Sequence, residues 1–499
     1  MINQLVQQLV HQAIELQLIM KEDEIYCRNQ VLGLLTLSDY KEIKKTNIKM
    51  ESIADTLDLI VDYACQQGII DDIFDEKEIL ISKLMNCFLD RPSAINSWFY
   101  KKYANHPKAA TDAFFELSIN SQYIQMNRIR KNIEYKYVTK YGELDITINL
   151  SKPEKDPKSI AKEQSVKKSD YPTCLLCIEN EGYVGRVGHP ARSNHRMIRV
   201  NLLEKTWYLQ YSPYMYYNEH CIVLSESHSD MKIDRATFNR LLAFVEQFPH
   251  YFLGSNADLP IVGGSILSHD HYQGGRYEFA MAKAKDDWTF TIQGYEEVRC
   301  AVVKWPMSVI RLRSDKKEAI INTAELILKV WQNYSDPSLN ILEKSKDIPH
   351  NTITPIARRR EDYYELDLVL RNNRTDDKHP FGIFHPHDDV HHIKKENIGL
   401  IEVMGLAVLP GRLKQELKDV EQYILGQSNS VAHEHLDWAI QLKKEYETLV
   451  GSCTTESFIK EAVGRKFLKA IEDSAVFKRT QEGLVGFQKF IHSLNTVKT

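Results

Sequence analysis

The chain has 499 residues, 43% of them hydrophobic and 26% charged, which is typical of a globular protein with several packed units and not of a disordered chain. A net charge of −4 does not favour a nucleic-acid partner, and no apolar run approaches the roughly 18 residues that a membrane span needs. The eight cysteines are too sparse for a disulfide scaffold and no secretory signal pattern is found, so we predict a cytoplasmic location.

Residues 1–130 show the apolar periodicity of helices. Apolar side chains recur there at three- and four-residue spacing, beginning with Leu5, Leu9 and Ala13. The same pattern predicts further helices, which we place from about residue 51, over 78–89 and over 109–119. No chemical constellation occurs in this region, so we expect it to serve packing, partner contact or the covering of a site.

The apolar period changes after residue 130. Residues 133–137 and 144–150 alternate and gather β-branched side chains, which predicts two strands joined near Gly142. Residues 151–170 contain six lysines and few apolar side chains, so they cannot offset the entropy of ordering and we predict a solvated linker. The strand pair and the linker together form a predicted segment, 131–170.

Residues 171–294 and 295–411 show a similar order of predicted elements. In the first segment these are strands at 206–211 and 221–224, a helix at 235–248 and a glycine-rich strand carrying His269 and His271. In the second, a strand-rich stretch that begins at 288 and runs to 313 is followed by a helix at 316–333, a strand at 364–370 and a strand with histidines within 384–392. We interpret this as a weak internal repeat.

Residues 412–499 return to a helical pattern. The whole chain therefore predicts an α+β fold, in which two units with mixed or antiparallel sheets form an internal repeat between helical N- and C-terminal regions.

The stretch 263–275 places two imidazoles and a carboxamide at alternate positions between two glycine pairs. In a strand, alternate residues face the same side, so His269, His271 and Gln273 are predicted to share one face. The glycines allow a ligand or a second backbone to approach closely. We predict a functional site at this face.

Cys174 and Cys177 form the only close cysteine pair of the sequence. Such a pair can chelate one tetrahedral ion, although it can also be a redox pair or a coincidence. Together with His269 it favours a zinc site of two cysteines and two histidines. The candidates for the remaining ligand are His189, His195, His220, His228 and His250.

Three functions fit paired histidines beside a two-cysteine turn. An imidazole can act as a nucleophile in nucleotidyl or phosphoryl transfer, with Gln273 donating to a phosphoryl oxygen. The histidines can instead hold a zinc-bound water for hydrolysis, or the module can bind a partner without catalysis. The sequence contains no Walker loop, no dinucleotide-binding glycine motif and no serine-hydrolase elbow.

The H-x-H-x-Q core at 269–273 and the upstream C-x-x-C pair resemble the galactose-1-phosphate uridylyltransferase family of the histidine-triad superfamily, in its second, bacterial class. Residues 179–186 and 397–412 are similar to that family as well, and the similarity extends over nearly the whole chain. The resemblance implies two histidine-triad-like halves, the first with the zinc site and the catalytic histidine, the second on the sugar side.

The resemblance implies a ping-pong exchange. UDP-glucose would give its uridylyl group to His271 and release glucose 1-phosphate, and galactose 1-phosphate would then collect the group as UDP-galactose. Gln273 would contact the phosphoryl group. The implied zinc ligands are Cys174, Cys177, His228 and His269. We also expect a homodimer.

Several residues are weaker candidates or depart from the family pattern. Asp270 stands where the better-known class has a proline. Glu402 is implied as a sugar contact. Three residues are candidate uridine or phosphate contacts by charge and position, with surface salt bridges as the alternative: Arg186, Asn194 and Arg196. Four histidines are candidates for a second metal site, which stays open: His385, His387, His391 and His392.

Two other functions remain as alternatives. The first is a histidine-triad dinucleotide or nucleotide-sugar phosphorylase or hydrolase, although the hydrolases place a histidine where this chain has Gln273. The second is a zinc-stabilised binding protein without activity, which the intact His271 and Gln273 disfavour.

Overall fold

A computed structural model describes residues 1–43, 52–151, 163, 169–449 and 453–496. Helices and largely antiparallel sheets make up this part of the chain, which confirms the predicted α+β class. The lysine-rich linker predicted within 151–170 lies almost entirely outside the described residues.

The chain divides into two compact units. The N-terminal unit comprises Met1–Lys131, Ser151–Met215 and Glu219–His228, and the C-terminal unit comprises Asn132–Leu150, Tyr216–Asn218 and Ser229–Thr499. The boundaries predicted from the sequence at 130, 170, 294 and 411 stay predictions.

The helices lie mainly at the two ends of the chain, as predicted. Those of the first 131 residues are α1 (Ile2–Glu15), α2 (Glu24–Leu34), α3 (Ile53–Gln66), α4 (Phe74–Asn86), α5 (Pro92–Tyr103), α6 (Pro107–Asn120) and α7 (Met126–Ile129). The later ones are α8 (Arg235–Gln247), α9 (Ala280–Lys283), α10 (Lys317–Gln332), α11 (Leu400–Val403), α12 (Leu413–Ile424), α13 (Leu436–Glu447), α14 (Thr455–Asp473) and α15 (Gln481–Ser493).

The first four helices pack around their own core, in which Leu9, Leu57 and Leu84 are fully buried. Helix α3 begins with a capping box, because the Ser52 hydroxyl accepts the Asp55 N–H while the Asp55 carboxylate accepts the Ser52 N–H. This exchange satisfies two main-chain donors that a helix start leaves without partners.

The strands lie between the two helical regions. They are β1 (Ile133–Thr139), β2 (Gly142–Asn149), β3 (Ile198–Leu202), β4 (Lys205–Tyr211), β5 (Cys221–Ser225), β6 (Phe252–Gly254), β7 (His271–Gly275), β8 (Asp286–Phe290), β9 (Arg299–Val303), β10 (Val309–Ser314), β11 (Lys344–Ser345), β12 (Ile348–Pro349), β13 (Asn351–Arg360), β14 (Tyr363–Asn372) and β15 (Leu406–Pro410).

The strands of each unit pair with one another in a fixed order. In the N-terminal unit the order is β3-β4-β5, and in the C-terminal unit it is β7-β6-β13-β14-β10-β9-β8, antiparallel throughout. A small separate sheet has the order β1-β2-β15, in which β15 runs parallel to β2.

The chain order of these elements contains a repeat. Two strands, a helix and two strands occur as β4, β5, α8, β6 and β7, and again as β9, β10, α10, β13 and β14, with the short pair β11 and β12 inserted between α10 and β13. In both occurrences the first two strands pair with each other, as do the last two. The internal repeat predicted from the sequence is therefore confirmed.

The predicted strand within 384–392 is wrong. These residues form a loop with a short 3-10 turn at Asp388–Val390. Two histidine rings bond to carbonyl oxygens of the same stretch, since His391 Nε2 lies 2.8 Å and His385 Nδ1 lies 3.0 Å from the oxygen of Pro386. Pro386 itself has no N–H to give to a sheet.

The main sheet of the C-terminal unit has two different faces. Helices α8 and α10 pack on one face through buried apolar side chains such as Phe238 and Ile327. Strand register places Gln273 beside Gly254, Ile356 and Asp367, and paired residues of antiparallel strands point to the same face. Tyr272, which lies between them in β7, accepts a hydrogen bond from Arg240 of α8, so His271 and Gln273 lie on the face opposite α8.

Candidate active site and metal centre

The H-x-H-x-Q stretch is only partly a strand. Strand β7 begins at His271, so His271 and Gln273 share a face but the prediction that His269 belongs to the same strand is wrong. The preceding residues bond elsewhere, because the Asp270 N–H donates to the Ser229 carbonyl at 2.7 Å and the Met231 N–H to that of Leu267 at 2.8 Å.

The His271 ring is held in one orientation. Its Nδ1 lies 2.8 Å from the carbonyl oxygen of His269, which requires a proton on Nδ1 and leaves the lone pair on Nε2. Only 6% of the residue is exposed, and this burial lowers the pKa of His271 to about 4. The ring is therefore neutral near pH 7, which is the state in which an imidazole attacks phosphorus.

Four side chains form a group that can hold a metal ion. The Cys177 sulfur lies 3.4 Å from the Cys174 sulfur and 3.1 Å from His228 Nδ1. With His269 added, one ligand atom from each of the four residues lies within 4.8 Å of the others. Two thiols and two imidazoles are a typical donor set for tetrahedral zinc, so the residues predicted for the metal are brought together.

Within the described residues this is the only such group. Two of the histidines considered for a second metal site contact other groups of the protein. His387 Nε2 lies 3.1 Å from the carbonyl oxygen of Ile383, and His392 packs against Trp438 with 5.0 Å between the ring centroids.

Asn180 fixes the two-cysteine turn and was missed from the sequence. It ends a short 3-10 turn, Ile178–Asn180, and is 1% exposed. Its Nδ2 donates to the carbonyl oxygens of Cys174 and Cys177, both at 2.8 Å, and its Oδ1 lies 2.9 Å from His189 Nε2. His189, one of the alternatives for the last metal ligand, is thus bound to Asn180. Side-chain amides often bond to nearby main chain, so an asparagine three residues after a C-x-x-C pair was the available signal.

We predict that Asn180→Ala lowers zinc affinity by about 10–100-fold, as loss of a partner that orients metal ligands does. The substitution frees the carbonyl groups that shape the turn but leaves every ligand in place. Competition with a chromogenic chelator measures the change. Asn333→Ala, at an exposed helix end, is the control and should match wild type. An affinity for zinc equal to wild type in Asn180→Ala contradicts this role.

Two predicted substrate contacts are engaged within the N-terminal unit. The Arg196 guanidinium donates to the Asp90 carbonyl at 2.8 Å and to Asn86 Oδ1 at 2.9 Å. The Asn194 Nδ2 donates to the Ser121 carbonyl at 2.9 Å. These bonds hold the segment before β3 against the N-terminal helices, and substrate contact by either residue stays a prediction.

The other two predicted contacts also have partners in the protein. Arg186 donates to the carbonyl oxygens of Tyr171 at 3.0 Å and Ser169 at 2.9 Å. The Glu402 carboxylate accepts from Lys394 Nζ at 3.0 Å and from the Gly399 N–H at 3.1 Å, which caps α11. Roles for both residues in substrate binding stay predictions.

Two family models match this chain. They are described as "Galactose-1-phosphate uridyl transferase, N-terminal domain", over residues 17–230, and "Galactose-1-phosphate uridyl transferase, C-terminal domain", over residues 244–440. The chain belongs to the galactose-1-phosphate uridylyltransferase family. The family predicted from the H-x-H-x-Q and C-x-x-C motifs is thereby confirmed, as is the prediction of a transferase.

Relatives of this uridylyltransferase-family chain match it from end to end. A galactose-1-phosphate uridylyltransferase of Clostridium perfringens strain 13 is 51% identical over 497 residues, which cover 99% of each chain. One of Clostridium acetobutylicum is 50% identical over 499 residues, or 99% of this chain and 100% of the other. A crystal structure of a yeast Ap4A phosphorylase covers 75% of this chain and 96% of its own, at 8% identity and a TM-score of 0.34, and supports no further conclusion. No helix in the described part of the chain is long and apolar enough to cross a membrane.

Proposed function

We propose that this member of the family exchanges a uridylyl group between UDP-glucose and galactose 1-phosphate, through a covalent adduct on His271. The observation that carries the proposal is the bond between His271 Nδ1 and the His269 carbonyl, which leaves Nε2 as the nucleophile. The curated relatives with about half of their residues identical are named for this activity.

The two half-reactions use the same nitrogen. The Nε2 lone pair attacks the α-phosphorus of UDP-glucose, and the oxygen of glucose 1-phosphate leaves with the electron pair of the broken P–O bond. A phosphate oxygen of galactose 1-phosphate then attacks the same phosphorus, and the P–N electron pair returns to Nε2. The ring is positively charged in the adduct, and the His269 carbonyl stabilises that charge through the Nδ1 proton.

Gln273 is suited to contact the phosphoryl group. It lies two residues after His271 in β7, on the same face, and is partly exposed. A carboxamide N–H donates to an oxygen without competing as a nucleophile or a base.

The group of Cys174, Cys177, His228 and His269 would hold a structural zinc ion. Its donor set and spacing fit zinc. When bound, the ion would cross-link the two-cysteine turn to both histidines and brace the carbonyl of His269 that orients His271. The predicted homodimer and cytoplasmic location are part of this proposal and stay predictions.

The test uses UDP-glucose labelled at the α-phosphorus. After an alkaline quench the protein should carry label that mild acid removes, because a phosphoramidate is stable to base and labile to acid. Galactose 1-phosphate should chase the label into UDP-galactose. A chase by water alone into UMP would favour the hydrolase, and a chase by inorganic phosphate into UDP would favour the phosphorylase. Folded wild-type protein that stays unlabelled contradicts the covalent mechanism.

A further inference from the structure

Arg240 contacts the residues on both sides of His271. It lies on α8, and its Nη1 donates to the Tyr272 hydroxyl at 2.9 Å and to Asp270 Oδ2 at 3.4 Å. Tyr272 follows His271 in β7 and therefore points to the opposite face of the strand, and Asp270 immediately precedes the strand. One guanidinium on α8 therefore binds the residues immediately before and after the proposed nucleophile.

The main chain at Asp270 is fixed as well. Its N–H donates to the Ser229 carbonyl at 2.7 Å. A proline at this position would have neither that N–H nor a carboxylate for Arg240. Asp270 thus adds two restraints immediately before the nucleophile, one through its main chain and one through its side chain.

Helix α8 is a rigid support for the guanidinium. Asp234 caps its start by accepting the Thr237 N–H at 3.1 Å. Its buried side chains Phe238 and Leu241 pack towards the sheet, where α8 lies against β6 and β13. Because α8 is fixed against the sheet, the Arg240 guanidinium on this helix has a fixed position relative to β7.

We infer that Arg240 is a positioning residue for uridylyl transfer, which holds Asp270 and Tyr272 so that His271 Nε2 faces the α-phosphorus. This inference rests on the proposed function. Reacting atoms must approach to about 3–3.5 Å in line, and a displacement of about 1 Å can reduce the rate on the order of 100-fold. Loss of Arg240 should therefore slow the chemical step without weakening substrate binding.

The experiment measures the single-turnover rate of His271 labelling by UDP-glucose, together with the Kd of UDP-glucose and the zinc content. Arg240→Met is expected to slow labelling on the order of 100-fold while Kd and zinc content remain those of wild type. Arg240→Lys, which keeps a positively charged donor group, should recover part of the rate. Tyr272→Phe removes the hydroxyl that accepts from Arg240 and should slow labelling about 10-fold, less than loss of the whole guanidinium. It replaces Arg240→Met as the test if that variant does not fold.

Arg235→Met is the matched control. Arg235 lies on the same helix, but its guanidinium donates to Asn322 and Glu325 of α10 and not to β7. Its labelling rate should equal that of wild type. Labelling at the wild-type rate in Arg240→Met or Tyr272→Phe, or an equal slowing in Arg235→Met, overturns the inference. A wild-type protein that takes no label contradicts the proposed function instead.

Discussion

Replacing His271 with glycine is expected to reduce kcat by about 10⁶-fold, the order of loss seen when a covalent nucleophile is removed from an enzyme. The adduct forms on the ring, and the glycine variant has no other imidazole with an oriented, unprotonated nitrogen on that strand. Steady-state turnover of UDP-glucose with galactose 1-phosphate measures the loss, and the alkaline-quench experiment should find no label on the variant.

The control for this substitution is His433→Gly. His433 is exposed in a short turn before α13, so its removal should leave turnover at the wild-type level. Zinc content and circular dichroism establish that the His271 variant is folded. A folded variant that still turns over at more than about 1% of wild type contradicts a covalent role for His271.

The periodic elements were predictable because burial imposes a period on the sequence. The apolar stripe that includes Leu5 and Leu9 predicted α1, and the alternation at 364–370 predicted β14. The alternation did not reveal that the polar face of β14 is also buried. Asp367 is fully buried there between two guanidinium groups, with Arg311 Nε at 2.6 Å and Arg358 Nη1 at 2.8 Å. The ion pairs with arginines of neighbouring strands make that burial tolerable. The sequence of one strand does not show which strands pair with it.

The candidate site was predictable where chemistry depends on local spacing. The spacing of His271 and Gln273 predicted a shared face, and the C-x-x-C spacing predicted a chelating pair. Positioning contacts have no such spacing. Arg240 reaches β7 from a helix about thirty residues earlier in the sequence, and only packing of that helix on the sheet reveals the contact. Charge alone did not reveal that Arg196 bonds to main-chain and amide oxygens of its own unit.

Binding of zinc is expected to stabilise the folded protein. Free zinc at about 1,000 times its Kd adds about 4.1 kcal/mol to the free energy of unfolding, if the unfolded chain does not bind it. Cys177→Ser removes one of the four ligand atoms, so this variant should lose zinc and its Tm should no longer rise when zinc is added. Metal analysis and thermal unfolding with and without a chelator measure both effects. Cys453→Ser, outside the metal group, is the control and should keep both the zinc and the zinc-dependent Tm.

The same variant separates a structural metal from a catalytic one. His271 receives its orientation from the His269 carbonyl, a contact that does not itself include a metal ligand atom. A Cys177→Ser protein without zinc should therefore still label His271, at a reduced rate and with lower thermal stability. If labelling were abolished while the circular dichroism spectrum and the Kd of UDP-glucose stayed those of wild type, the metal would take part in the chemical step. A zinc content equal to that of wild type would instead remove Cys177 from the ligand set.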